Sequence, residues 1–339
     1  MEGHGEFKFN WPVLGHKNII KYLQRLIISK QFVSSYLFFG PEDIGKKTLV
    51  SLFVRSIFCF ENQGSKDFPC GECKDCKDIQ KKIHPGYMEI NVEEGKKNIS
   101  IDQVRELKER LYLTSANGSY KVAIINQADL LSLEASNALL KLIEEPPKNS
   151  IIILITKKVE DILPTIRSRT QNIIFHNVSL KEIREHLVKN GVSEKLAREL
   201  SEFSGGIPGL AMSYYKDLDL WNKKKNSLNE MLEILNKPLN EKLNWVDEQV
   251  KLSKKSVNQY IYFESLLNSY LRLVRDLIVF QINPEIELIH PFSRDIIAEI
   301  SEKYRSNDLL DFYKNILVGK KSLNQNVNPK IIFENLLLT

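Results

Sequence analysis

Four cysteines, Cys59, Cys70, Cys73 and Cys76, are the only ones in the 339 residues and fall within one 18-residue stretch. Four thiolates are the full complement of a closed tetrahedral zinc site, and a site with no open position is structural rather than catalytic. Two C-x-x-C steps share Cys73, Gly71 eases the turn between the first two sulfurs, and Cys59 comes from the end of a preceding helix. The expected metal ligands are therefore Cys59, Cys70, Cys73 and Cys76, with Zn2+ as structural cofactor. Four reduced free thiols and an iron–sulfur cluster are the alternatives. A staple is called for because Glu61–Pro69 holds Phe68 as its one large apolar side chain.

A second constellation is Gly40-Pro41-Glu42-Asp43-Ile44-Gly45-Lys46, which fits G-x-x-x-x-G-K between an apolar run and a helical pattern. The glycines let backbone N–H groups curl around phosphates, and the lysine offsets their charge. Gly40, Gly45, Lys46 and Thr48 are the candidate nucleotide-binding residues. Lys47 stands where a hydroxyl would hold Mg2+, and Thr48 comes one residue late, about 100° further round the helix. Glu42 and Asp43 place negative charge where phosphate would lie. A remnant that no longer binds productively is the favoured reading, and real nucleotide binding stays open beside it. Catalysis at such a loop also needs an acid at the end of a later strand and a neighbouring group to orient water. The run Lys121–Ile125 ends in Asn126-Gln127, two neutral amides that neither offset Mg2+ charge nor take a proton.

The elements that must position these groups alternate between apolar strands and helical patterns, the mark of a parallel α/β sheet. Strands are expected at Tyr36–Phe39, Tyr87–Val92, Val122–Ile125, Ile151–Ile155 and Ile173–Phe175. Helices are expected over Lys46–Phe58, from Ser100 with Ile101, Val104, Leu107 and Leu111 inward, and ahead of Pro146-Pro147 with Leu133, Ala138, Leu139, Leu142 and Ile143 inward. From Ser179 onward nearly everything reads as helix. The longest pattern, Tyr260–Phe280, has Leu267, Tyr270, Leu271, Val274, Leu277 and Ile278 at spacings of three and four.

Composition narrows the classes. With 42% hydrophobic and 27% charged residues, the chain carries enough apolar material to offset the entropy of folding. No apolar run approaches the roughly 20 residues that span a bilayer. Met1–Gly5 lacks a secretory pattern, so a cytoplasmic location is expected. A net charge of +5 permits contact with nucleic acid without implying it. Lys46-Lys47, Lys96-Lys97, Lys157-Lys158 and Lys254-Lys255 read as solvated surface.

Several blocks resemble the AAA+ clamp-loader subunits of bacterial DNA polymerase III over nearly the whole chain. They are Trp11-Pro12-Val13-Leu14-Gly15-His16, the phosphate loop, the four-cysteine insert, His84-Pro85-Gly86-Tyr87, residues 135–147 (ASNALLKLIEEPP) and residues 163–169 (LPTIRSR). The resemblance implies an α/β AAA+ P-loop core, a parallel sheet with flanking helices, over 1–178, with the zinc insert at 59–76. It implies a small helical lid at 179–215 and an all-α C-terminal collar domain at 216–339. Within the group the tau/gamma subunits are ATPase motors and the delta prime subunit is their rigid partner. The decayed loop, Asn126-Gln127 and Pro208, in place of a lid arginine that touches ATP, look like delta prime. So the isolated chain is expected not to be an enzyme and not to use ATP productively, although the holoenzyme it would join is a DNA-directed DNA polymerase. An ATP-hydrolysing tau/gamma-like motor with divergent motifs is the alternative. Ser168-Arg169-Thr170 matches the family's Ser-Arg-Cys, which implies that Arg169 is an arginine finger reaching a neighbour's ATP site; Arg167 is the structural competitor. The implied partners are the tau/gamma motor subunits and the delta subunit, with the sliding clamp and primed DNA met through the complex and no membrane.

Overall fold

The computed structural model describes residues 8–59, 67–113, 119–254 and 258–338. Met1–Gly5, the 60–66 part of the cysteine insert and Lys255 lie outside the described residues. The chain divides into two compact units, Met1–Ile183 with Gly206–Leu210 and Arg184–Gly205 with Ala211–Thr339. The stretch 179–215 is thus shared between them.

Among the described residues the first unit has seven strands, β1 (Lys8–Phe9), β2 (Ser35–Phe39), β3 (Asp67–Phe68), β4 (Tyr87–Ile90), β5 (Lys121–Asn126), β6 (Ser150–Thr156) and β7 (Gln171–Ile174). Five of them make one parallel sheet in the order β4-β5-β6-β2-β7, and β1 pairs with β3 separately. Ser35 stands opposite Ile152, and Tyr36 opposite Gln171, so β2 is an interior strand, next to the β7 edge, although it comes early in the chain. All seven residues of β6 and all six of β5 are buried, as a parallel strand covered on both faces requires.

Helices α1 (Lys17–Ser29), α2 (Lys46–Phe58), α3 (Lys74–Gln80), α4 (Ile101–Tyr112), α5 (Leu133–Glu144) and α6 (Pro164–Arg167) complete the unit. Helix α4 opens with Gln103 accepting the Ser100 N–H at 3.0 Å, as its capping sequence predicts. Val104, Leu107 and Leu111 of α4 join Ala135, Leu139, Leu142 and Ile143 of α5 in one apolar core with Ile125, Ile152 and Leu154 of the sheet. Leu133 corrects the expected face: it is 64% exposed, and Ala135 takes the inward place. At 100° per residue Leu133 stands far round the helix from Leu139, whereas Ala135 lies one turn before it. Helix α5 ends at Glu144, ahead of Pro146-Pro147. Phe175 follows β7 rather than closing it, and its N–H donates to the Phe39 carbonyl.

The remaining helices are α7 (Leu180–Lys189), α8 (Glu194–Ser204), α9 (Pro208–Lys216), α10 (Leu218–Glu233), α11 (Leu239–Ser253), α12 (Gln259–Ile282), α13 (Arg294–Lys303), α14 (Ser306–Asn324) and α15 (Pro329–Leu338). The second unit is helical throughout its described residues. Its centre is α12, which buries Phe263, Leu267, Tyr270, Val274 and Leu277 against α13 and α14. Another side of α12 holds Asp276, fully buried, which accepts hydrogen bonds from the N–H and Nδ1 of His290 at 2.8 Å each. No described helix is long and apolar enough to cross a membrane.

Candidate functional site

The four cysteines meet, with their Sγ atoms all within 4.8 Å of one another. Helix α2 delivers Cys59 at its C-terminal end, and Cys73 caps α3. Gly71 makes the turn between them with φ +77°, in the left-handed region. Backbone donors point at the sulfurs: the Cys70 N–H at Cys59 Sγ (3.2 Å), the Cys73 N–H at Cys70 Sγ (3.3 Å) and the Cys76 N–H at Cys73 Sγ (3.4 Å). Hydrogen bonding to Cys59 and from the Gly71 N–H holds the Cys76 thiol down at about 5, against burial. Cys59 is pushed well up by its bond to Cys76 and by burial, and burial takes Cys73 to about 11. Burial acts to raise the Cys70 thiol, but the N–H groups of Cys73 and Glu72 bring it below its ordinary value. Cys70 and Cys76 Sγ are 4.0 Å apart. Zn–S bonds of about 2.3 Å in a tetrahedron set sulfurs about 3.8 Å apart, so the residues fit a zinc ion that Cys59, Cys70, Cys73 and Cys76 would hold.

The phosphate loop follows β2 and feeds α2. Gly40 has φ +145°, and a Cβ there would lie 2.4 Å from the Phe175 carbonyl oxygen, so no other residue fits. Gly45, at φ +107°, opens the helix. The Lys46 ammonium is turned onto the loop itself, donating to the carbonyls of Gly40 (2.7 Å) and Pro41 (2.5 Å). Burial lowers its pKa to about 8. Pro41 has no N–H to offer a phosphate. Lys47 and Thr48 are both exposed. The Asp43 carbonyl accepts the Gly209 N–H at 3.0 Å, and a Cβ on Gly209 would lie 2.4 Å from that oxygen, so the Gly206–Leu210 segment sits directly on the loop.

Asn126, at the end of β5, is buried and donates from Nδ2 to Glu89 Oε1 at 2.6 Å and to Asn91 Oδ1 at 2.9 Å. Glu89 is also bound by the Tyr87 hydroxyl (2.8 Å) and the Lys82 ammonium (2.7 Å). Burial acts to raise the Glu89 carboxyl, but these two partners hold it below its ordinary value. Gln127 is exposed in the left-handed region, at φ 53°. One strand over, the Thr156 hydroxyl donates to Asp129 at 2.8 Å. Glu89 and Asp129 were invisible to motif reading. The only signal for Glu89 was its place on the same side of its strand as Tyr87.

Arg169 follows α6 on the surface of the first unit, with a 45% exposed side chain. Its Nε meets Glu144 at 2.9 Å, and Nη1 donates to the Thr165 carbonyl at 3.2 Å. The phosphate loop, the Asn126 network, Arg169 and the cysteine cluster all belong to the first unit.

A five-stranded parallel sheet with a glycine-lysine phosphate loop leaving an interior strand defines a P-loop core of the AAA+ type. Residues 15–179 match the family described as DNA polymerase III, delta subunit. The chain is 27% identical to DNA polymerase III subunit delta' of Bacillus subtilis over 321 residues, 94% of each chain. It is 36% identical to the delta' subunit of Pseudomonas aeruginosa over 41% of this chain and 42% of that one. It is 34% identical to subunit tau of B. subtilis over 55% of this chain and 32% of that one. The chain is thus similar to the DNA polymerase III subunits delta', tau and gamma, and over 94% of its length to delta'.

Proposed function

We propose that this chain is a non-catalytic, delta-prime-like subunit of the clamp loader, acting in the cytoplasm. It assembles with tau/gamma motor subunits and the delta subunit, and the complex loads the sliding clamp on primed DNA. The observation that carries the reading is Asn126, whose buried amide donates 2.6 Å to Glu89 where an ATPase needs a carboxylate. Lys46 bound to its own loop carbonyls, Lys47 in the hydroxyl position and Gly209 seated on Asp43 support it. A loop built this way does not bind ATP productively, and Gly40, Gly45, Lys46 and Thr48 serve as scaffold. The core spans 1–178, the lid 179–215 and the collar domain 216–339. Cys59, Cys70, Cys73 and Cys76 hold one structural zinc, which supplies a covalent knot and no chemistry.

Arg169 is the finger. Its guanidinium is always charged, and its planar fork fits phosphate oxygens. The Glu144 pair is exposed on both sides, and such pairs contribute about 0–1 kcal/mol, so a neighbour's phosphates displace it at little cost. Fingers in trans raise rates by about 10³–10⁵-fold.

Calorimetric titration of ATP into the purified chain, with and without Mg2+, is the first test. The reading predicts no site tighter than about 1 mM, roughly 4 kcal/mol of binding free energy. Micromolar, Mg2+-dependent binding would sink it in favour of the motor subunit. Reconstitution of Arg169→Ala with the motor and delta subunits tests the finger: clamp- and primed-DNA-stimulated hydrolysis should fall at least 10-fold with the complex still assembled.

A further inference from the structure

We infer that Arg55 is the charge partner of the four-cysteine metal knot. This rests on the zinc reading of Cys59, Cys70, Cys73 and Cys76. A divalent zinc held by four thiolates carries a net charge of −2, and here two of the sulfurs, on Cys59 and Cys76, belong to side chains with no exposure at all. Buried net charge is costly unless a counter-charge stands close by.

The backbone N–H groups already described supply hydrogen bonds but no full charge. Lys74 and Lys77 on α3 are exposed, where solvent and salt screen them. Arg55 differs. It sits on α2 one turn before Cys59, and its carbonyl accepts the Cys59 N–H, so the helix that delivers the first sulfur also sets the guanidinium. The side chain reaches the cysteine turn: a Cβ on Gly71 would lie 3.6 Å from Arg55 Nη2. Its Nε is buried and has no hydrogen-bond partner among the described residues.

A buried guanidinium N–H without an acceptor is expensive to leave so. Beside a tetrathiolate the guanidinium gains a counter-charge. Gly71 is constrained by its left-handed backbone, and a side chain there would touch the guanidinium in ordinary contact. Arg55 is a positioning residue of the metal site rather than a ligand: it lowers the cost of gathering four thiolates and shields them from electrophiles.

The test uses the full chain and zinc competition against a chromophoric chelator. Partners outside the first shell of a metal are worth about 10–100-fold in affinity. Arg55→Met should weaken zinc binding by that factor while one zinc per chain still binds. Arg55→Lys, which keeps the charge and loses the fork, should lose less, and Lys77→Met should stay within about 2-fold of the parent. A second readout is zinc release from the loaded protein on alkylation with iodoacetamide, which should be several-fold faster in Arg55→Met. Circular dichroism checks that each variant is folded, and the alkylation rate of already loaded protein is read whether or not overall stability has fallen. Unchanged affinity and release in Arg55→Met, with one zinc on the parent, would overturn the role of Arg55. A parent that binds no zinc would instead overturn the metal reading beneath it.

Discussion

Replacing Asn126 by Asp restores the residue type an ATPase would carry, yet this structure predicts damage. Asn126 Nδ2 gives its two hydrogens to Glu89 Oε1 at 2.6 Å and Asn91 Oδ1 at 2.9 Å. An aspartate there would set a second carboxylate against Glu89. Two unit charges at that distance repel by about 6 kcal/mol at an effective dielectric of 20. Binding one proton is cheaper. With ordinary carboxyl values near 4, it costs about 3–4 kcal/mol at pH 7 and about 1 kcal/mol at pH 5, and the protonated pair recovers a shared hydrogen bond. The folded variant therefore holds a proton that the unfolded chain does not, and its stability falls as pH rises above the carboxyl range. Urea unfolding of parent and variant between pH 5 and 8 reads the difference directly. The expected result is a gap of about 1 kcal/mol at pH 5 that widens to about 3 kcal/mol at pH 7, closed by adding Glu89→Gln. A variant as stable as the parent at pH 7, or a gap indifferent to pH, would refute the reasoning. The same arithmetic says that Lys47→Ser, Asn126→Asp and Gln127→Glu together will not create an ATPase while Glu89 remains.

Cys76→Ser should lower bound zinc from one per chain to a small fraction by elemental analysis, and removing zinc from the parent with chelator should lower its melting temperature. Gly209→Val brings side-chain atoms against an oxygen that even a Cβ would approach to 2.4 Å, so chemical denaturation should show a loss of about 1–3 kcal/mol. Burial and the nearby Arg272 and Lys224 lower the His290 pKa despite Asp276. The unfolded chain then binds the extra proton first, so stability should drop as pH falls through about 6.5, and His290→Gln should flatten thermal melts across that window. Arg169→Ala should change the unfolding free energy by less than about 1 kcal/mol, because its ion pair is exposed, while the stimulated activity of the reconstituted complex falls at least about 10-fold.

The sheet was legible because each central strand is a short apolar run bounded by turn residues, as in residues 35–39 and 150–156. Helix α2 was legible from Gly45 at one end and the cysteine at the other. That Ala135 and not Leu133 lies on the inward α5 face was not, since counting apolar residues ignores the angle at which each one stands. The two-residue strands β1 and β3 left no pattern: they are too short for alternation to register. Around the site, the cysteines and the loop lysine announced themselves by type and spacing. Glu89, Asp129, Gly209 and Arg55 did not, because each acts on a residue distant in sequence, and only the folded chain brings those pairs together.

The strand order has a consequence for how the chain is made. Strand β2 is interior, but its neighbours β6 and β7 are encoded more than a hundred residues later, with Ser35 waiting for Ile152. At a synthesis rate of about 5–20 residues per second, the aromatic run Tyr36–Phe39 spends roughly 6–23 s without the partners that bury it. An apolar, strand-prone segment with no charge of its own is an aggregation hazard for that interval. A ribosome-bound chain stopped before β6 should therefore expose this segment to holdase chaperones and proteases, and one extended past β7 should hide it. The arrangement that sets the strand before the phosphate loop between β6 and β7 also makes that loop among the last parts of the first unit to find its place.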